Sequence, residues 1–274
     1  MEQAPPRLQH ERAARGLLMQ EQQSSGRQAA FVTGASYGIG AATALALARD
    51  GYDLAVAATR MENLANVVTQ LEATGARVVP MALDVRSQSS IEQAMATAIE
   101  ALGRVDLLVN NAGITVKRPA LEVTAEEWDA VIRTNLTGSF FMSQQLGRHL
   151  IARGRPGCII NIASTHGMIG LAQRSTYGIS KAGMIHMTKM LAIEWAGHGI
   201  RVNAVAPGRV ASGSPMRTAS SNDPELLELL HSRVPLHRSA TSEEVAAAVC
   251  YLASSQAAYI TGHTLLLDGG LTAY

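Results

Sequence analysis

From Ala29 to Gly270 short apolar runs alternate with longer amphipathic stretches. The runs Ala29–Gly34, Asp53–Thr59, Ala76–Val85, Arg104–Gly113, Gly157–Ser164, Gly199–Gly208 and His263–Gly270 are near-continuously apolar, and five of the seven end in Gly or Ser. That is the signature of strands buried on both faces. Between them the spacing predicts helices over Ala41–Asp50, Met61–Thr74, Ser87–Leu102, Thr124–Arg153, Ser175–His198 and Ser242–Ser254. Thr124 with Glu127 three residues on is a capping-box start, and the last helix is entered through Thr241 or Ser242. Strand and helix alternating over this length predict a single α/β domain, residues 29–274, built on a doubly wound parallel sheet.

Two stretches fall outside the alternation. Met1–Gln28 is polar, with Pro5-Pro6 and a Ser-Ser-Gly end, and reads as a mobile tail without the apolar h-region of a secretory signal. Residues 208–235 are rich in Gly, Pro and Ser, with a short helix expected over Pro224–Ser232. A long connection beyond the carboxyl end of a strand is where a substrate lid belongs.

Composition narrows the classes. The formal net charge of +1 gives no basic surplus for nucleic acid. No stretch is long and apolar enough for a membrane span. Cys158 and Cys250 stand alone, which suits two thiols in a reducing cytoplasm. The histidines form no HExxH or clustered set, so no metal site is expected.

Two motifs carry chemistry. The first strand runs into Gly34-Ala-Ser-Tyr-Gly38-Ile-Gly40 and then a helix. In that context Gly34 permits a tight turn, Gly38 lets backbone approach a pyrophosphate, and Gly40 lets the helix pack close to the sheet. The fold is thereby Rossmann-like. The second motif is Tyr177 with Lys181, one helical turn apart. A phenol that ordinarily titrates near pH 10 needs help to exchange protons at neutral pH, and an adjacent ammonium favours its ionised form. Alone, the pair is a weak signal. The helix around it is apolar on several sides (Ile179, Met184, Ile185, Met187, Met190, Ile193), which predicts burial on more than one face.

From about Ala29 to Gly270 the chain resembles the short-chain dehydrogenases/reductases. The resemblance rests on Thr33–Gly40, Asp84, Asn110–Gly113, Asn135, Ser164 thirteen residues before Tyr177, Pro207-Gly208 and Asp268–Gly270. It implies that Tyr177 exchanges a proton with a carbonyl or alcohol oxygen and that Ser164 holds that oxygen. Lys181 would lower the Tyr177 pKa and bind the nicotinamide ribose, and Asn135 would anchor a water behind Lys181. It further implies nucleotide contacts from Gly34, Ser36, Tyr37, Gly38, Ile39, Gly40, Thr59, Arg60, Asp84, Val85, Asn111, Ala112, Gly113, Tyr177, Lys181, Pro207, Gly208, Val210 and Ser212. His166 is read as a pocket wall.

Cofactor choice turns on the end of the second strand. An acidic residue there accepts from both ribose hydroxyls and repels a 2′-phosphate. Ala58 occupies that position here, followed by Thr59 and Arg60, which favours NADP(H) with NAD(H) left open. The general run looks most like the 3-oxoacyl-(acyl-carrier-protein) reductase type, with a sugar or polyol dehydrogenase as the alternative. A non-catalytic nucleotide-binding scaffold is the reading from another class, although the chain keeps Ser164, Tyr177 and Lys181. The expected partners are a small-molecule or acyl-thioester carbonyl substrate and further copies of the chain in a cytoplasmic homotetramer.

Overall fold

The computed structural model describes residues 26–211, 228 and 231–273. The tail therefore lies outside the described residues except for Gly26–Gln28. The same holds for most of the lid stretch, for Ser212 and for most of the helix expected over Pro224–Ser232.

Seven parallel strands form one sheet: β1 (Ala29–Thr33), β2 (Asp53–Ala58), β3 (Val78–Ala82), β4 (Leu107–Asn110), β5 (Gly157–Ile162), β6 (Ile200–Pro207) and β9 (Thr264–Leu267). Their order is β3-β2-β1-β4-β5-β6-β9. The two-residue strands β7 (Val210–Ala211) and β8 (Ala240–Thr241) pair separately. The helices are α1 (Gly38–Arg49), α2 (Ala65–Glu72), α3 (Gln88–Leu102), α4 (Ala125–Ile132), α5 (Gly138–Ala152), α6 (Ser175–Trp195) and α7 (Ser242–Ala253).

The apolar runs of β1, β2, β4, β5 and β6 are buried almost throughout because helices cover both faces, whereas β3 and β9, at the two edges of the sheet, are only partly buried. One core cluster holds Phe31, Leu108 and Ile159 from the strands against Met95, Leu146 and Met184 from α3, α5 and α6. The other holds Val32, Val56 and Ile160 against Leu47, Val67 and Val249 from α1, α2 and α7. Thr124 and Thr241 both cap their helices, each with the reciprocal bond from Glu127 or Glu244.

Two helices depart from the sequence expectation. The Met61–Thr74 helix begins as a 3-10 turn, Met61–Leu64, and its α-helical part spans only Ala65–Glu72. The long helix over Thr124–Arg153 is interrupted by a π-helical segment, Arg133–Thr137. That widened turn, of a kind common at functional sites, carries Asn135.

The strand order reverses between β1 and β4, whose carboxyl ends therefore open a crevice. In open α/β sheets ligands bind there.

Candidate active site

At that crevice lies a cleft of about 760 Å³. Its floor is the turn after β1. Gly34 has φ +64°, and a Cβ there would sit 2.9 Å from Ala112 Cα. Thr33 locks the turn to the loop after β4: its hydroxyl accepts from the Asn111 and Ala112 N–H groups at 3.0 Å each. The Asn111 amide in turn donates to the Thr33 and Gly34 carbonyls. Tyr37 precedes α1 without capping it by its side chain, so the first-turn amides face the cleft over a glycine floor. A helix N-terminus of that kind is suited to phosphate oxygens.

The catalytic end is assembled from four elements. β5 runs into Ser164, whose oxygen accepts the His166 N–H at 3.2 Å. The turn Thr165–Gly167 packs directly on α6, where a Cβ on Gly167 would lie 2.8 Å from the Lys181 carbonyl carbon. This contact sets Ser164 against the tyrosine helix, and Ser164 and Tyr177 line the same cleft. The His166 ring meets the Tyr177 ring edge-on at 5.9 Å between centroids. Lys181 is 4 % exposed, and its ammonium donates to the Ile162 carbonyl at 2.6 Å, lying 5.8 Å from the Tyr177 ring centre.

Asn135 comes from the π segment. Its Oδ1 accepts the Ile114 N–H at 2.8 Å, and its Nδ2 donates to the Ile114 carbonyl at 2.9 Å and to Ser180 Oγ at 3.0 Å. It thus pins the loop after β4 to α6. Below the site, Asn110 donates to Asn161 and Ser143, and Asn161 donates to Thr188. This buried ladder fixes α5 and α6 against β4 and β5.

The electrostatics differ from the simple expectation of a lysine lowering a phenol. Burial pushes the Tyr177 phenol above its ordinary value, opposed by the Ser164 hydrogen bond and the positive charge of Arg174. Burial likewise pulls Lys181 down to about 8. Two desolvated groups therefore face each other, and each resists its charged form. The Lys181 shift has a consequence for stability. Below pH 8 the ammonium is charged in both folded and unfolded chains and its burial costs stability in full. Between about 8 and 10.5 only the unfolded chain holds the proton, so the cost fades as pH rises. Urea unfolding of the chain and of a Lys181→Met variant should show a stability difference that is constant below pH 8. Above it, the parent should gain on the variant up to the ordinary lysine value.

Of the predicted nucleotide residues, Gly34, Ser36, Tyr37, Gly38, Ile39, Thr59, Asp84, Val85, Asn111, Ala112, Gly113, Tyr177, Lys181, Pro207, Gly208 and Val210 line the cleft. Gly40 stands behind the floor, packed on the Gly34 carbonyl and the Asn111 amide. Arg60 is exposed and does not line the cleft. Arg86 does, and it holds Asp84 through two bonds of 3.0 and 2.9 Å. Its side-chain bonds are the first cause of a depressed Asp84 pKa. Sequence reading passed over Arg86. The signal was its place two residues after Asp84, where a guanidinium can return to the carboxylate.

The comparisons agree with this geometry. The family described as Enoyl-(Acyl carrier protein) reductase matches residues 34–272. The 3-oxoacyl-[acyl-carrier-protein] reductase FabG of Thermotoga maritima is 40% identical over 242 residues, 88% of this chain and 96% of the relative. The chain belongs to the short-chain dehydrogenase/reductase family. Another member of that family, 3beta-hydroxysteroid dehydrogenase 1 of Eggerthella lenta, is 40% identical over 89% of this chain and 93% of the relative. Among solved structures, a variant of actinorhodin polyketide ketoreductase with NADPH superposes with a TM-score of 0.84. It is 36% identical and covers 90% of this chain and 98% of its own. As a short-chain dehydrogenase/reductase the chain is an NAD(P)-dependent oxidoreductase acting between ketones and secondary alcohols. Among the described residues no helix is long and apolar enough to cross a membrane, and no group of three His, Cys, Asp or Glu is placed to hold a metal.

Proposed function

We propose that the chain reduces the ketone of a 3-oxoacyl thioester, with NADPH as the preferred cofactor. Tyr177 gives its proton to the carbonyl oxygen, and Ser164 donates a hydrogen bond to that oxygen as charge develops on it. Lys181 is held by the Ile162 carbonyl with Nζ beside the cleft wall, a position suited to the nicotinamide ribose. Asn135 keeps the Ile114 loop in place and acts by position. The nicotinamide, when bound, supplies or takes up the hydride.

The observation that carries the substrate reading is the run between Ser164 and Tyr177, which both line the cleft. Within it Met168, Ile169 and Leu171 are all exposed. Exposed apolar side chains grouped so close in sequence to a cleft favour a substrate with hydrocarbon to bury. That supports an acyl chain, or as a second reading a steroid like that of the Eggerthella lenta relative, over a sugar or polyol. For the cofactor, the support is Ala58 at the end of β2, which leaves no carboxylate against a 2′-phosphate, and NADPH in the ketoreductase structure. Steady-state assays with acetoacetyl thioester, a 3-oxosteroid and a sugar panel, each with NADPH and NADH, test both readings. Turnover of the thioester with NADPH well above the other pairs is expected. Preference for a sugar, or for NADH, would overturn the corresponding part.

We also propose a cytoplasmic homotetramer. On α6, Ile179, Met190 and Ile193 stay exposed, the last at 77 %, on a helix whose other face is already in the core. A monomeric mass in solution would count against it.

A further inference from the structure

A further positive charge stands at the start of the tyrosine helix, on a residue that no motif singles out. Arg174 immediately precedes α6, three residues before Tyr177, so the two lie on adjoining positions of the first turn. Its guanidinium donates to Thr115 Oγ1 at 2.8 Å, and Thr115 lines the cleft. Next to it Gln173 has φ 63°, a left-handed conformation uncommon outside glycine, and its carbonyl accepts the Arg118 N–H at 3.0 Å. Arg118 in turn holds Glu127 at 2.8 Å. The start of the tyrosine helix is thus clasped to the loop after β4 by two bonds, and Arg174 pairs with no carboxylate among the described residues.

We propose that Arg174 is a positioning residue for proton transfer: anchored on Thr115, it holds a fixed positive charge beside Tyr177 and favours the ionised phenol. This rests on the reading of Tyr177 as the proton donor. Among the described residues, Lys181 from its own helix and His166 from the turn after β5 lie against the Tyr177 ring, and Arg174 stands at the start of that helix, bonded to Thr115, which lines the same cleft as Tyr177. Lys181 spends its ammonium on the Ile162 carbonyl. His166 has its pKa lowered by burial and then by Arg174, so it adds no charge at neutral pH.

The test uses Arg174→Gln, Arg174→Lys and Thr115→Val in the full chain, read in two ways. The first is the pH dependence of kcat/KM for alcohol oxidation, which rises as the phenol loses its proton. Arg174→Gln should move its midpoint upward by roughly 0.5–1 pH unit, the size expected of one partly solvated charge at this range. Arg174→Lys should restore most of the shift, and Thr115→Val, which frees the anchor, should fall between. The second reading needs no turnover: the ultraviolet titration of the Tyr177 phenol, taken as the difference between each protein and the same protein with Tyr177→Phe. It should shift in the same direction and order. Midpoints unchanged in both measurements would overturn the proposal, whatever happens to stability or to kcat. A shifted ultraviolet titration with no carbonyl or alcohol turned over by the parent would instead sink the functional reading and leave the role of Arg174 standing.

Discussion

Tyr177→Phe is expected to lower kcat for carbonyl reduction by about 10²–10⁴-fold, the range attributed to a positioned proton donor. Nucleotide affinity should stay near that of the parent. The substitution removes one oxygen and keeps the ring that packs edge-on against His166, so the cleft wall is preserved. Ser164, whose oxygen accepts from the His166 backbone N–H, stays in place. Reduction kinetics together with an NADPH fluorescence titration check both halves. A fall in kcat with unchanged nucleotide binding marks an interaction made in the transition state. Full turnover in the variant would remove Tyr177 from the chemistry.

The largest effect on the fold is expected from Gly40→Ala. A Cβ at Gly40 would collide with the Gly34 carbonyl oxygen and would lie 2.5 Å from the Asn111 amide nitrogen. The first is backbone in a turn already held at positive φ, and the second is tied to the Thr33 and Gly34 carbonyls. Neither has room to move. The first turn of α1 must therefore lift off the sheet, at a cost of about 3 kcal/mol or more, the upper end for overpacking. Because the same turn forms the floor of the nucleotide cleft, NADPH binding should fall with it. Gly197→Ala is the control. It stands in an exposed 3-10 turn with nothing within 4 Å of a new Cβ, and should leave both measurements unchanged. Equal urea midpoints for the two variants would contradict the packing account.

Signals confined to a few adjacent residues were read correctly from the chain. The glycine turn, the capping box at Thr124 and the seven strands are of this kind, each specified by neighbours or by a continuous apolar run. What escaped depends on contacts between distant segments. Nothing local in Arg133–Thr137 announces a π turn; its Asn135 is bonded to Ile114 and Ser180, twenty-one and forty-five residues away. The choice of Arg86 over Arg60 at the cleft wall depends on where each side chain folds back, and only Arg86 has Asp84 to return to. The balance at Tyr177 was misjudged for the same reason. Spacing reveals that a lysine is one turn away, but not that both groups are desolvated or that the lysine is spent on a strand carbonyl. Asn135-Leu-Thr137 also has the form of a glycosylation sequon, yet Asn135 is fully buried and cannot take a sugar in the folded chain.

The widened turn at Arg133–Thr137 makes chain length itself a constraint. A π turn holds one residue more than the α-helical turn it replaces, so deleting any one of those five would let the segment rewind as ordinary helix. The helix on either side would keep its phase, because the wide turn takes up its extra residue within about the rotation of an ordinary one. What would be lost is the local widening that carries Asn135 to Ile114 and Ser180, while the strands, the glycine floor and the Tyr–Lys helix kept every residue they have now. A chain shorter by that single residue would fold alike and hold the loop after β4 less firmly.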